Sequence, residues 1–133
     1  PLISQVFLVG DKKNYATALI SLDLGALLRD KCDIRIQDVP ANPFEQASLL
    51  KHLGKTLKDF TESEEIYQEI KKDVERLNKQ FSRPEQIKNF KILPRDFSID
   101  YDELTPTLKM KRRNILKNWE KEIESLYSGN TNG

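Results

Sequence analysis

Ile3 to Val9 is a run of β-branched and aromatic residues that ends in Gly10, Asp11, Lys12, Lys13 and Asn14. A run of that kind, closed by turn-formers, predicts a strand entering a turn. Tyr15 to Leu22 predicts a second strand, with Ala16, Ala18, Ile20 and Leu22 on one face. Together they predict an antiparallel hairpin whose loop is longer than a two-residue turn. Leu24 to Lys31 predicts a short helix. Residues 33–43 hold two prolines among alternating charged and apolar residues and predict an irregular connection. Pro43 opens a predicted helix, PFEQASLLKHLGKTL, from the first-turn position that proline favours.

Thr61-Glu62-Ser63-Glu64 has the pattern of a capping box. After it, Ile66, Ile70, Val74, Leu77 and Phe81 recur at spacings of 4, 4, 3 and 4. That periodicity predicts one apolar stripe along a helix. Arg83-Pro84 stops it. Gln86 to Leu93 predicts a third strand, closed by Pro94, and Phe97 to Pro106 predicts a loop. A last amphipathic helix carries Ile115, Trp119, Ile123 and Leu126. The chain closes on SGNTNG, a fraying terminus. The expected fold is α+β: a small, mostly antiparallel three-stranded sheet packed with helices. One domain is expected over residues 1–128, with a flexible tail over 129–133.

Composition narrows the function classes. Apolar residues make up 38% and charged residues 32% of 133 positions, which suits a single soluble domain with a modest core. The net charge of +1 announces neither a nucleic acid nor an anionic membrane. No apolar run approaches the ~20 residues of a spanning helix. Cys32 is the single cysteine, so no internal disulfide forms, in keeping with a reducing compartment. The chain opens at Pro1-Leu2 with neither Met nor signal peptide, and reads as a part of a longer polypeptide.

Charge is unevenly spread. Thr105 to Trp119 holds Lys109, Lys111, Arg112, Arg113 and Lys117 and no acid. Residues 105–133 carry six basic against three acidic residues, a surplus of three, while the other 104 carry 16 against 18. The cations crowd the start of the last helix, where the macrodipole is positive and cations are disfavoured. An anion there would be favoured by backbone N–H groups, dipole and side chains together. A crowded, solvated helix end accounts for charge alone equally well. Pro106 adds a stiff approach, because it fixes its own φ and extends Thr105. A stiff loop ending in a long flexible cation suits a lysine presented to something outside the domain.

The run RPEQIKNFKILPRDFSIDYDELTPTLKMKRRNI closely resembles the C-terminal end of AMP-forming long-chain fatty-acid–CoA ligases, within the acyl-adenylate-forming superfamily. PLISQVFLVGDKKNYATALISLD looks like the strand pair that opens the same small domain. In the wider superfamily the motif ends in Gly-Lys, with Arg soon after. Lys109 fits the lysine and Arg112 the arginine, while Leu108 replaces the glycine.

The resemblance implies a mobile C-terminal lid domain and a large N-terminal ATP- and acyl-binding domain outside this chain. It implies ATP, Mg²⁺ and CoA for the full-length enzyme, with none held tightly here. The partners implied are the large domain and the fatty acid, with no nucleic acid. The location implied is cytoplasmic, with membrane contact, where there is any, peripheral and through the part outside this chain. Lys109 is the implied catalytic residue. Lys111, Arg112, Arg113 and Lys12 are candidates for nucleotide or CoA phosphates. No Ser/Thr/Gly-rich phosphate loop, acyl pocket or hinge motif lies within the chain, so the isolated domain is expected to be inactive.

Other residues read as structural. His52 stands alone, which argues against zinc. Asp96, Asp100, Asp102 and Glu103 form an acidic loop, expected to be solvated rather than to hold Mg²⁺. Trp119 and the stripe from Ile66 to Phe81 read as packing. Two competing functions are a nucleic-acid contact through KMKRRNILK and a stand-alone interaction module using the charged helix around residues 61–81. The first lacks exposed aromatics along a basic groove.

Overall fold

A computed structural model describes residues 2–10, 15–82 and 86–128. Strands β1 (Ile3–Val9) and β2 (Ala16–Leu22) form the expected antiparallel hairpin. Helix α1 (Leu24–Lys31) follows, its start capped by the Asp23 carboxylate accepting from Ala26 N–H. A 3-10 turn at Ile36–Asp38 lies in the irregular connection. Then come α2 (Pro43–His52), α3 (Leu57–Thr61), α4 (Glu64–Asn78), β3 (Ile87–Ile92), α5 (Arg112–Asn118) and α6 (Glu120–Ser128). The three-stranded α+β architecture is as expected. No described helix is long and apolar enough to cross a membrane.

The sheet runs β1-β2-β3 and is mixed. β3 pairs with β2 in parallel, Ala16 against Ile87 and Ile20 against Ile92, which corrects the mostly antiparallel expectation. The reason is the route between them. The four helices between β2 and β3 carry the chain back to the end where β2 began, as a parallel connection requires. β2 is the central strand, and Thr17 to Leu22 are all buried. Its two faces serve two cores. Ala18, Ile20 and Leu22 join Leu27, Leu28, Phe60, Ile66, Ile70 and Val74. Leu19 joins Phe7, Leu93, Phe97, Leu104, Ile115, Trp119 and Ile123 on the opposite face.

The long helix expected from Pro43 breaks in two. Lys55 N–H reaches Leu50 C=O at 3.1 Å and Gly54 N–H reaches Lys51 C=O at 2.9 Å, with Gly54 at φ 76°. That is a Schellman ending, and it needs a residue free to adopt the left-handed conformation. The capping box falls elsewhere than expected. Thr56 and Asp59 form it at the start of α3, while Ser63 alone caps α4 by accepting from Ile66 N–H. Thr61 is the last residue of α3, and its hydroxyl donates to Lys58 C=O. Ile66, Ile70 and Val74 are buried as the stripe predicts, and Leu77 packs against them. Phe81 lies past the helix end at Asn78. The stop at Arg83-Pro84 and the tail over 129–133 lie outside the described residues. The last helix bends at Trp119 into α5 and α6, yet Ile115, Trp119, Ile123 and Leu126 are all buried.

One side chain ties α4 to β3. Asn78 accepts from Ile87 N–H at 2.7 Å and donates to Ile87 C=O at 2.9 Å, imitating a strand neighbour at the start of β3. Ile87 is buried. Asn78→Ala leaves both backbone groups without these partners and should lower stability by about 2 kcal/mol, measured by urea unfolding of the chain.

Candidate functional site: a lysine-tipped hairpin on a buried ion pair

Beyond β3 the chain leaves the sheet through Leu93 and Pro94 and crosses the second core. Phe97 seats its ring edge-on against Phe7, centroids 5.9 Å apart, and its N–H donates to the Gln5 side chain at 2.9 Å. Asp96, Asp100 and Asp102 are exposed. Glu103 is fully buried, which corrects the expectation of a wholly solvated acidic loop.

A buried carboxylate is tolerable only if its oxygens are satisfied. Arg95 grips Glu103 with two nitrogens, Nη1 to Oε1 at 2.7 Å and Nη2 to Oε2 at 3.0 Å. Ser98 N–H donates to Oε1 at 3.2 Å. Asn118 Nδ2 and Trp119 Nε1 donate to Oε2 at 3.0 and 2.9 Å. The Arg95 guanidinium lies 3.7 Å from the centroid of Tyr101 and 4.8 Å from that of Trp119. Burial pushes the Glu103 carboxyl up, but the hydrogen bonds from Arg95, Asn118 and Ser98 and the charge of Arg95 outweigh it. The net shift is below the ordinary glutamate value. Trp119, expected as packing, also works as a donor. Nothing in the periodicity marks Glu103 as buried, because its donors lie eight and five residues before it and fifteen and sixteen after.

From this anchor the chain makes a small hairpin. Leu104 bridges Met110 in antiparallel fashion. Thr105 N–H donates to Lys109 C=O at 2.8 Å, and Leu108 N–H donates to Thr105 C=O at 2.8 Å. The Thr105 hydroxyl oxygen accepts from Lys109 N–H at 3.0 Å and lies 3.1 Å from that of Thr107. Pro106 sits at the turn position its fixed φ suits. Leu108 takes φ 66°, the left-handed residue on the returning arm of such a hairpin. Glycine reaches that conformation without strain, whereas a leucine there is set against its backbone preference.

Lys109 stands exposed beside this turn, and its Nζ makes no hydrogen bond or ion pair among the described residues. Its basic neighbours differ. Lys111 pairs with Asp102, and its N–H donates to Glu103 C=O at 2.8 Å. Asn114 holds Asp102 from the other side, with Nδ2 3.0 Å from Oδ2 and 2.8 Å from the backbone carbonyl. Arg112 Nη1 donates to Leu8 C=O at 2.9 Å, and its guanidinium lies 4.8 Å from the Phe7 centroid. Arg113 is exposed. Lys109, Lys111, Arg112 and Arg113 thus share one end of the fold, but Lys111 and Arg112 are committed to holding it. Lys12 lies outside the described residues. His52 is exposed at the end of α2. Among the described residues no three His, Cys, Asp or Glu side chains converge as a metal site.

Residues 44–131 match the family described as AMP-binding enzyme C-terminal domain. The long-chain-fatty-acid–CoA ligase FadD15 of Mycobacterium tuberculosis is 34% identical over 96% of this chain and 19% of its own length. The human long-chain-fatty-acid–CoA ligase ACSBG1 is 34% identical over 96% of this chain and 18% of its own. The chain therefore spans about a fifth of the length of these curated relatives. Among solved structures, the adenylation domain of a carboxylate reductase from Mycobacterium chelonae superposes with TM-score 0.54 at 18% identity, covering 97% of this chain and 16% of that one. The A-PCP didomain of carboxylic acid reductase from Segniliparus rugosus gives TM-score 0.50 at 17% identity, over 96% and 14%. These two likenesses are of fold.

A left-handed leucine costs roughly 1–2 kcal/mol, partly offset by the chain freedom glycine loses on folding. Leu108→Gly should therefore raise stability by up to about 1 kcal/mol in a denaturant titration. Acid should act through Glu103. Its folded value is lowered, so its contribution is full above the unfolded value near 4.3 and is lost as pH falls through the folded value. The gap in melting temperature between the chain and Glu103→Gln should be widest near neutral pH, begin to narrow as pH falls to the unfolded value and close once it passes the lower, folded one.

Proposed function

The chain belongs to the AMP-binding enzyme C-terminal domain family, and from that premise we propose that it is the mobile lid of a long-chain fatty-acid–CoA ligase, with Lys109 as its catalytic side chain. The observation that carries the proposal is the contrast around Lys109. Among the described residues its ammonium has no partner at the end of a pinned hairpin, while Lys111 and Arg112 are held by Asp102 and by the Leu8 carbonyl. The lid is assigned to residues 1–128, and residues 129–133 to a flexible tail.

In the first half-reaction a carboxylate oxygen of the fatty acid attacks the α-phosphorus of ATP. The bond to the bridging oxygen breaks, and acyl-AMP and pyrophosphate form. In the second, the CoA sulfur attacks the acyl carbonyl, AMP departs with the bonding pair, and the thiol proton is released. Negative charge gathers between carboxylate and α-phosphate in the first step. A lysine is a compact charge on a long stem and can meet both anions. Its contribution is positioning and electrostatic stabilisation, with no proton transferred. Lys109 would reach the large domain only in the pose for that step, and a hinge outside this chain would turn the lid for the second.

Lys111, Arg112, Arg113 and Lys12 remain the candidates for phosphates of nucleotide or CoA, with Lys111 and Arg112 also holding the geometry of the hairpin. Among the described residues no donor set gathers for Mg²⁺, which this reaction class brings in with ATP, and Glu103 and Asp102 are paired with Arg95 and Lys111. The metal then belongs with the nucleotide on the large domain. The free thiol of Cys32 suits a reducing, cytoplasmic setting, and membrane contact falls to the part outside this chain.

The test separates the half-reactions in the full-length enzyme. Lys109→Ala should slow acyl-AMP formation by roughly 10²–10³-fold, about 3–4 kcal/mol. Supplied with ready-made acyl-AMP, the same variant should make acyl-CoA at a near-normal rate. Lys109→Arg should recover little, since a planar fork does not replace a point charge between two anions. The present chain alone should fold and release no AMP from ATP, palmitate and CoA. Equal losses in both steps would mean a structural role for Lys109, and an unchanged first step would refute the assignment.

A further inference from the structure

We infer that Glu103 is a positioning residue for Lys109: its buried carboxylate fixes the root of the hairpin and so sets where the lysine tip stands. The inference rests on the reading of Lys109 given above and names the group through which that reading would work.

Three observations carry it. First, five donors converge on the carboxylate from two separate places: Arg95 (twice) and Ser98 on the loop after β3, and Asn118 and Trp119 at the junction of α5 and α6. A side chain held in that way has one orientation. Second, the same residue roots both arms of the hairpin. Leu104 follows it directly on the outgoing arm and is buried, while the returning arm is tied back by Lys111 N–H to Glu103 C=O. Glu103 N–H is itself bound to Ser98 C=O at 3.0 Å. Displacing this residue therefore moves both arms together. Third, stability alone does not call for an ion pair at this place. Well-packed apolar side chains of similar volume commonly serve as well or better, because desolvation offsets the attraction between the charges. What converging charged donors add is a fixed direction.

The Lys109 side chain is long, and the hairpin has few hydrogen bonds of its own. A shift of about 1 Å at a group that must meet two reacting anions can cost on the order of 10²-fold in rate. The root therefore matters for the first half-reaction, in which Lys109 acts, and little for the second.

The experiment uses the full-length enzyme with Glu103→Gln, Trp119→Phe, Lys109→Ala and the double variant Glu103→Gln/Lys109→Ala. Glu103→Gln should slow acyl-AMP formation by about 10²-fold, with the thioester step from supplied acyl-AMP changed less than about 3-fold. The loss should fall on kcat rather than on KM for ATP or fatty acid. Trp119→Phe removes one donor and should cost about 10-fold in the same step, and it carries the test where Glu103→Gln fails to fold. In the Lys109→Ala background, adding Glu103→Gln should cost less than about 3-fold, since the lysine it positions is gone. Equal loss in both half-reactions, or a full multiplicative loss in the double variant, would overturn the inference.

Amide hydrogen exchange separates the two claims. If Lys109→Ala leaves acyl-AMP formation intact, the catalytic reading of Lys109 falls, and exchange then decides the role of Glu103 by itself. Faster exchange at Thr105, Leu108, Lys109 and Lys111 in Glu103→Gln, with the α1–α4 layer unchanged, upholds Glu103 as the root of the hairpin. Unchanged exchange at those amides overturns it.

Discussion

A strand with both faces buried has to be covered twice, and β2 sets that demand on this chain. Thr17 to Leu22 leave no side exposed, so the remainder of the sequence is divided between two layers. The helices α1 to α4 close one face around Ala18, Ile20 and Leu22. The loop after β3 and helices α5 and α6 close the other around Leu19. The basic hairpin rises from the second layer only. Its platform is thus separated by the sheet from the layer that supplies most of the helix. The parallel pairing of β3 follows from the same division, since the first layer is laid down between the two strands it covers.

Within the second layer, electrostatics decides which cations are available. Arg95 is consumed by Glu103, Lys111 by Asp102, and Arg112 by the end of β1. These contacts differ in strength. The Arg95–Glu103 pair is bidentate and its carboxylate is fully buried, so it is strongly coupled. The Lys111–Asp102 pair has an exposed carboxylate and is worth little by itself. The exposed pair steers the returning arm, and the buried one bears the geometry. A cluster that looks uniformly basic along the chain separates into fasteners and free ends once folded.

Much of the architecture was legible because burial leaves periodic traces. The strand pair, α1, the α4 stripe and the four apolar positions of the last helix all follow from spacing. Direction leaves no such trace, so the parallel β2–β3 pairing was not legible. Periodicity of two tells which face a residue occupies, never which way its neighbour runs. Gly54 could be read as tolerated inside a helix, and only the Schellman bonds reveal it as an ending. Thr61 and Ser63 both fit a cap, and the choice fell to where α3 happened to stop. At the site, Lys109 and its stiff approach were visible in ELTPTLKMKRR. Glu103 was not, because a glutamate beside three aspartates looks solvated unless its distant donors are known. The departure at Leu108 was visible as a residue, but its meaning depended on a backbone angle.

The parallel pairing carries a consequence for the order in which the molecule can assemble. β1 and β2 are neighbours in sequence and can meet early, whereas Ala16 finds Ile87 only after the whole α1–α4 segment has been gathered in. Closing so long a segment is slow compared with forming a hairpin. The platform under the basic hairpin needs β3 in place, because Arg95 and Glu103 are delivered by the loop that leaves it. The hairpin's root is therefore among the last parts to be completed. A half-assembled chain would hold the first layer and still lack a defined place for its lysine, so an ordered tip reports that folding has finished.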